Sequence, residues 1–222
     1  MPLLLYCITQ PTPAVNISAG VCDTAVDSRE MLDLRAYWSG IADPQSCLGD
    51  AEAVKKAAIQ YHQVLREILA LATPIPFRFP TLLEDEEAMQ QQLEAEQQLY
   101  RDAVVRLDNT LQYEIVASWP DEQQGDLAAP VSGREYLKRR QEALSRVAAV
   151  DAKLKAVSAD SVREWRSRPE RKTHRWFALL PRENRERFIA SLRTAGASEG
   201  ARLRLSGPWP PSEFVTPRSK HE

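Results

Sequence analysis

The segment Pro74-Ile75-Pro76-Phe77-Arg78-Phe79-Pro80 forbids helix in the middle of a helix-rich stretch. Each proline fixes φ near about −65° and removes an amide donor, so the segment is read as an edge strand or extended chain. On both sides of it the apolar residues recur at helical steps. From about Ala51 to Ala72, Val54, Ala57, Ala58, Tyr61, Val64, Leu65, Ile68 and Leu69 form one apolar face. From about Asp85 to Leu107 the buried side is Met89, Leu93, Tyr100, Val104 and Leu107. That helix opens on Asp85, Glu86 and Glu87, charges that suit the positive end of a helix dipole. His62 sits beside the first stripe, where packing on a neighbour is the expectation.

Other segments carry the two-residue period of strands. Residues 3–9 are apolar on both faces, as expected for a strand in the middle of a sheet. A short segment around residues 20–26 follows; then Leu32, Leu34, Ala36 and Trp38 alternate with Asp33, Arg35 and Tyr37, and Leu111, Tyr113, Ile115, Ala117 and Trp119 alternate in the same way. Residues 120–131 are the most loop-like interior stretch, and a domain boundary is placed there, giving domains 1–121 and 122–222. Ser132-Gly133-Arg134-Glu135 has capping-box spacing. It opens a long helix to about Val157 with Leu137, Leu144, Val147, Ala148, Leu154 and Val157 expected inward. A strand at 176–180, a helix at 182–195 closed by Gly196 and a strand at 201–207 complete the chain. The order is β-β-β-α-β-α-β, then α-β-α-β. This α+β interleaving resembles ferredoxin-like layering more than a Rossmann sheet.

Composition removes several function classes. The 222 residues are 43% hydrophobic and 27% charged, as in a folded globular chain. The apolar run at the start is only six residues, too short for a signal peptide or a membrane span, so a soluble cytoplasmic protein with no membrane partner is expected. Cys7, Cys22 and Cys47 lack C-x-x-C spacing, which argues against a disulfide framework and against zinc. The histidines at 62, 174 and 221 are scattered, so no metal site is expected. There is no G-x-S-x-G, no phosphate-cradling glycine loop and no H-E-x-x-H, and glycines number only eight. The chain is therefore read as a non-enzyme without cofactor or small-molecule substrate. Residues 1–119 sum to −9 and residues 120–222 to +7. Such a polarity fits two halves presenting opposite faces to partners, or two halves that neutralise each other.

One basic stretch, Arg163-Glu164-Trp165-Arg166-Ser167-Arg168-Pro169-Glu170-Arg171-Lys172, interleaves five bases with a tryptophan. The alternative function it raises is a nucleic-acid-binding ferredoxin-like module using residues 163–175. Glu164 and Glu170 dilute the charge, and a solvated connector is the preferred reading.

The closing segment Gly207-Pro208-Trp209-Pro210-Pro211-Ser212-Glu213-Phe214 resembles the GPWPPYSF signature that ends GvpF/GvpL gas vesicle proteins. Leu5-Tyr6-Cys7-Ile8 is similar to that family's first strand, Tyr61-His62-Gln63-Val64-Leu65 to its AHxxVL helix, and Pro76-Phe77-Arg78-Phe79-Pro80-Thr81 to its P-x-R-F-G-T segment. Tyr113-Glu114-Ile115 and Ser132-Gly133-Arg134-Glu135-Tyr136-Leu137 match further motifs in the family's order. Pro80 stands where the family usually has glycine, and Ser212-Glu213 replaces Tyr-Ser. The resemblance implies a modified ferredoxin-like N-terminal domain and a smaller C-terminal α/β domain. It also implies an accessory or minor structural role in vesicle assembly, in contact with the hydrophobic shell protein and other vesicle accessory proteins. Protein-binding residues are sought at Pro76, Arg78, Phe79, Trp209, Pro210, Pro211 and Phe214. The opposing expectations are an edge strand with Arg78 in an ion pair, and a tail that packs back as a structural clasp.

Overall fold

All seven side chains of the first strand, β1 (Leu3–Thr9), are buried. A strand buried at every position needs cover on both sides, and the helices α2 (Ala51–Leu71) and α4 (Gln97–Arg106) both pack on it. The computed structural model describes residues 1–13, 15–119, 132–170, 173–195 and 200–216. These residues form two units, one of Met1–Thr110 with Trp209–Glu222 and one of Leu111–Pro208. The expected boundary between 121 and 122 lies in 120–131, outside the described residues.

In the first unit, β2 (Asp27–Met31), β3 (Leu34–Gly40) and β4 (Ile75–Leu83) join β1 in an antiparallel sheet of order β2-β3-β1-β4. The strand expected from residue 32 starts at Leu34, because Leu32 and Asp33, both at positive φ, form the two-residue turn between β2 and β3. The proline-rich segment is an edge strand, as its composition requires. The short helix α1 (Pro44–Leu48) precedes α2, whose N-cap Asp50 accepts from the Ala53 amide at 2.8 Å. The single helix expected over 85–107 is two, α3 (Glu86–Ala95) and α4, separated at Glu96, which has φ −121° and ψ 23°. No proline or glycine in the sequence announces that break.

Cys22 and Cys47 form a disulfide with Cα atoms 6.0 Å apart, contrary to the reading of unpaired cysteines. Their separation of 25 residues gives no local signal. Proximity comes from the fold, which sets the short 3-10 turn Val21–Asp23 and α1 against the same helix, α2. Close packing fixes the loop before that turn: a Cβ on Gly20 would lie 2.4 Å from Ser39 Oγ and 2.6 Å from Tyr6 Oη. Glycine is required there by space.

The second unit is built from β5 (Thr110–Ser118), α5 (Gly133–Ser158), β6 (Glu164–Pro169), β7 (Thr173–Pro181), α6 (Arg185–Ala195) and β8 (Arg202–Trp209), of which the end residues Thr110 and Trp209 count with the first unit. Its sheet has the order β6-β7-β5-β8. Two expectations are corrected here. The strand at 110–119, grouped by the sequence with the first half, is a central strand of this sheet. The segment expected as a connector is the edge strand β6, paired antiparallel with β7 from Glu164↔Leu179 to Pro169↔His174. The order of β7, β5 and β8 is visible in one side-chain network: Glu114 accepts from Arg175 on one side and from Ser206 Oγ, at 3.1 Å, on the other. Gly207, at φ +135°, passes so close to Tyr113 that a Cβ would lie 2.8 Å from the ring.

Helix α5 is capped as expected, Ser132 Oγ accepting from the Glu135 amide at 3.2 Å. Its burial is not as expected. Only Val150, Leu154 and Ser158 are buried, while Leu137 and Leu144 are each 63% exposed. Among the described residues of the helix, burial is confined to its second half. The closing position expected for Gly196 lies outside the described residues.

Candidate protein-docking face

Tyr61 and His62, side by side on α2, bring two distant candidate segments together in the first unit. The Tyr61 hydroxyl donates to the backbone carbonyls of Tyr6 at 2.8 Å and Phe77 at 2.6 Å, fixing β4 to β1 and α2. Burial pushes that phenol far above its ordinary pKa, so it remains a donor. The Phe79 ring packs on Tyr61 with centroids 5.1 Å apart. The Trp209 ring meets His62 edge-on at 6.4 Å. His62 thus packs on its neighbours, as its position beside the apolar stripe implies.

The register explains how Arg78 comes to the surface. Leu5 pairs with Thr81 and Cys7 with Pro76, so Phe77-Arg78-Phe79-Pro80 lie opposite the single residue Tyr6. The extra residues form an excursion whose base is closed by Thr81 Oγ1 donating to the Arg78 carbonyl at 2.6 Å. Arg78 is exposed, while Pro76 and Phe79 are half-buried. The Phe79–Pro80 peptide is cis.

The tail is divided. Trp209 is half-buried, whereas Pro210, Pro211 and Phe214 are buried, Phe214 completely. The 3-10 turn Ser212–Phe214 is held by Ser212 N donating to Pro210 O at 2.8 Å and Phe214 N to Pro211 O at 3.0 Å. The Arg106 guanidinium on α4 donates to the carbonyls of Phe214 and Val215, the latter at 3.0 Å. These contacts make the tail beyond Trp209 a clasp on its own unit. Of the seven candidate residues, Pro76, Arg78, Phe79 and Trp209 retain exposed surface. The sequence missed Tyr61 as the hub because an aromatic on an apolar stripe reads as ordinary core.

Among the described residues, several groups of the basic stretch are engaged within their own unit. In β6, Arg166 pairs with Glu164 at 2.9 Å, and Arg175 pairs with Glu170 at 2.7 Å and with Glu114. Trp165 packs on Phe188 with centroids 6.3 Å apart instead of standing free for stacking. Arg171 and Lys172 lie outside the described residues. A groove of about 550 Å³ on the second unit is lined by Ile115, Leu154, Ile189, Leu192, Leu203 and Leu205, with Arg193 and Arg202 beside them. It is apolar and brings no acid and base together. Among the described residues no three His, Cys, Asp or Glu side chains are placed to hold a metal ion, and no helix is long and apolar enough to cross a membrane.

A family model described as gas vesicle synthesis protein GvpL/GvpF matches residues 2–216. Among solved structures, the fold is similar to the gas vesicle protein GvpF from Microcystis aeruginosa, with a TM-score of 0.73 at 16% identity over 97% of this chain and 99% of that one. It is similar also to GvpF from Anabaena sp. PCC7120, with a TM-score of 0.71 at 17% identity over 100% of this chain and 98% of that one. No functionally curated protein matches the chain.

Proposed function

The chain belongs to the GvpL/GvpF family of gas vesicle synthesis proteins, and from that premise we propose that it is a non-catalytic accessory or minor structural protein of vesicle assembly, acting in the cytoplasm at the vesicle. Its partner in this reading is the apolar shell subunit, along with other vesicle accessory proteins. A subunit that polymerises into a gas-enclosing wall carries apolar surface that aggregates unless another protein holds or nucleates it. The observation that carries the reading is the rim of Pro76, Arg78, Phe79 and Trp209 around Tyr61–His62. It combines an exposed arginine with partly exposed rings already fixed by packing, so little entropy is lost on binding. Pro210, Pro211 and Phe214 are buried, and the turn they form is held by Arg106, so their part is to fix the tail that follows Trp209. We assign both units to the ferredoxin-like layout, the first in a form modified by the loss of the helix between its first two strands.

The test is co-expression with a short hydrophobic shell subunit. Wild-type protein is expected to co-purify with it, and Arg78→Glu combined with Trp209→Ala is expected to lose it while keeping the wild-type circular dichroism spectrum. Absence of association in the wild type refutes the reading. A nucleic-acid function would need free cations and an exposed ring in this stretch, and the ion pairs of Arg166 in β6 and Arg175 in β7 and the packing of Trp165 weigh against it.

A further inference from the structure

We propose that the protein self-associates head to tail, the exposed first half of α5 in one copy docking on the acidic α3–α4 face of a second copy. The unpartnered surface is unusual for a soluble helix. Leu137 and Leu144 are seven residues apart on the stripe that ends in buried Leu154, and Tyr136 beside them is 51% exposed. Around this stripe, residues 133–149 hold five bases and two acids, a net charge of +3. Both acids are engaged within the helix, Glu135 with Arg139 and Glu142 with Lys138 at 3.9 Å. Among the described residues no acid pairs with Arg134 or Arg140.

The complementary face is on the first unit. Residues 84–108 hold eight acids and two bases, a net charge of −6. Glutamines, which are neutral, are the donors to three of these acids: Gln91 to Glu87 at 3.4 Å, Gln90 to Glu94 at 2.8 Å and Gln98 to Asp102 at 2.9 Å. Their negative charge stays uncompensated. Val105, one turn after Asp102 on α4, is 71% exposed and supplies an apolar contact.

Charge selects this arrangement over the others. Two α5 helices facing each other would bring +3 against +3 at close range, so a symmetric helix pair is disfavoured. Two leucines and one tyrosine are a small apolar face for a helix lying in a lipid interface. A contact between different faces of identical chains propagates into rings or filaments, and one about 25 Å of helix long is small enough to be weak and salt-sensitive.

Sedimentation velocity on the full chain tests this. At about 100 µM protein, the wild type is expected to form dimers and larger species in about 25 mM salt and to revert to monomer in about 500 mM salt. Arg140→Glu/Leu144→Glu and Glu87→Lys/Glu94→Lys should each weaken association at least about tenfold while melting at the wild-type temperature, since all four side chains are exposed. An equimolar mixture of the two variants should recover one contact and sediment as a dimer, because each supplies the face the other lacks. A wild type that stays monomeric in low salt, a mixture that stays monomeric, or binding to anionic phosphatidylserine vesicles without self-association overturns the proposal.

Discussion

Tyr61 satisfies two backbone carbonyls from different strands with one hydroxyl, so its removal acts on both at once. Tyr61→Phe keeps the ring contacts with Tyr6 and Phe79 and is expected to cost about 1–3 kcal/mol, read as a lowered urea midpoint at unchanged slope. Phe214→Ala removes a ring with no exposed surface and is expected to cost roughly 3–5 kcal/mol by the same measurement. That cost makes Phe214 a poor probe of docking and Arg78 a good one. At this scale the sequence was informative about residue type and silent about direction. Prolines at 74, 76 and 80 were enough to exclude helix, and the aromatic-proline tail was recognisable as special. The placement of Phe214 and Trp209 rests on partners more than a hundred residues away, Arg106 at the carbonyls of Phe214 and Val215 and His62 at the Trp209 ring.

Among the elements, α5 separates what periodicity encodes from what packing decides. Its apolar spacing and its Ser132 cap identify a helix, and both are present. Spacing marks which residues share a stripe, but burial depends on what packs there: α6 lies against α5, Trp176 of β7 donates to Asp151, and the buried residues are Val150, Leu154 and Ser158. Leu154→Ala is therefore expected to cost about 2–5 kcal/mol and Leu137→Ala less than about 0.5 kcal/mol, although the two lie on one stripe. Thermal melts of the two variants, compared with the wild type, check the contrast. The strand β6 was hidden for the opposite reason. An edge strand with one sheet neighbour keeps its charges at the surface, so Glu164, Arg166 and Arg168 looked like a solvated connector. The disulfide had no local signature because it is set by where distant segments meet, and no proline or glycine marks the division of α3 from α4.

Across the whole molecule, one strand order occurs twice. In each sheet the sequence of strands is second, third, first, fourth, yet the first unit has a 3-10 turn where the second has α5. The units also differ in the groups that sense acid. In the second, burial holds the His174 imidazole below its ordinary value, against the smaller pull of Asp151, which itself pairs with Lys155 at 2.7 Å and accepts from Trp176 Nε1 at 2.9 Å. In the first, the amide and hydroxyl of Ser18, with Gln63, hold the Glu67 carboxyl below its ordinary value. Both depressions carry the same sign: as pH falls, the unfolded chain takes up the proton before the folded one, and stability declines. The onsets differ, just below about pH 6.5 for the histidine and below about pH 4.5 for the carboxylate. Mild acid is thus expected to weaken the second unit first. Urea titrations at about pH 7.5 and about pH 5.5 should show the loss, followed by tryptophan fluorescence in a chain where the other four tryptophans are replaced by phenylalanine, leaving Trp176, whose ring lies 4.3 Å from His174. In His174→Gln the midpoint should be flat across that interval and should fall only where carboxylates begin to titrate. A wild-type midpoint that does not move between the two pH values would remove His174 as the sensor and leave the acid response to carboxylates such as Glu67.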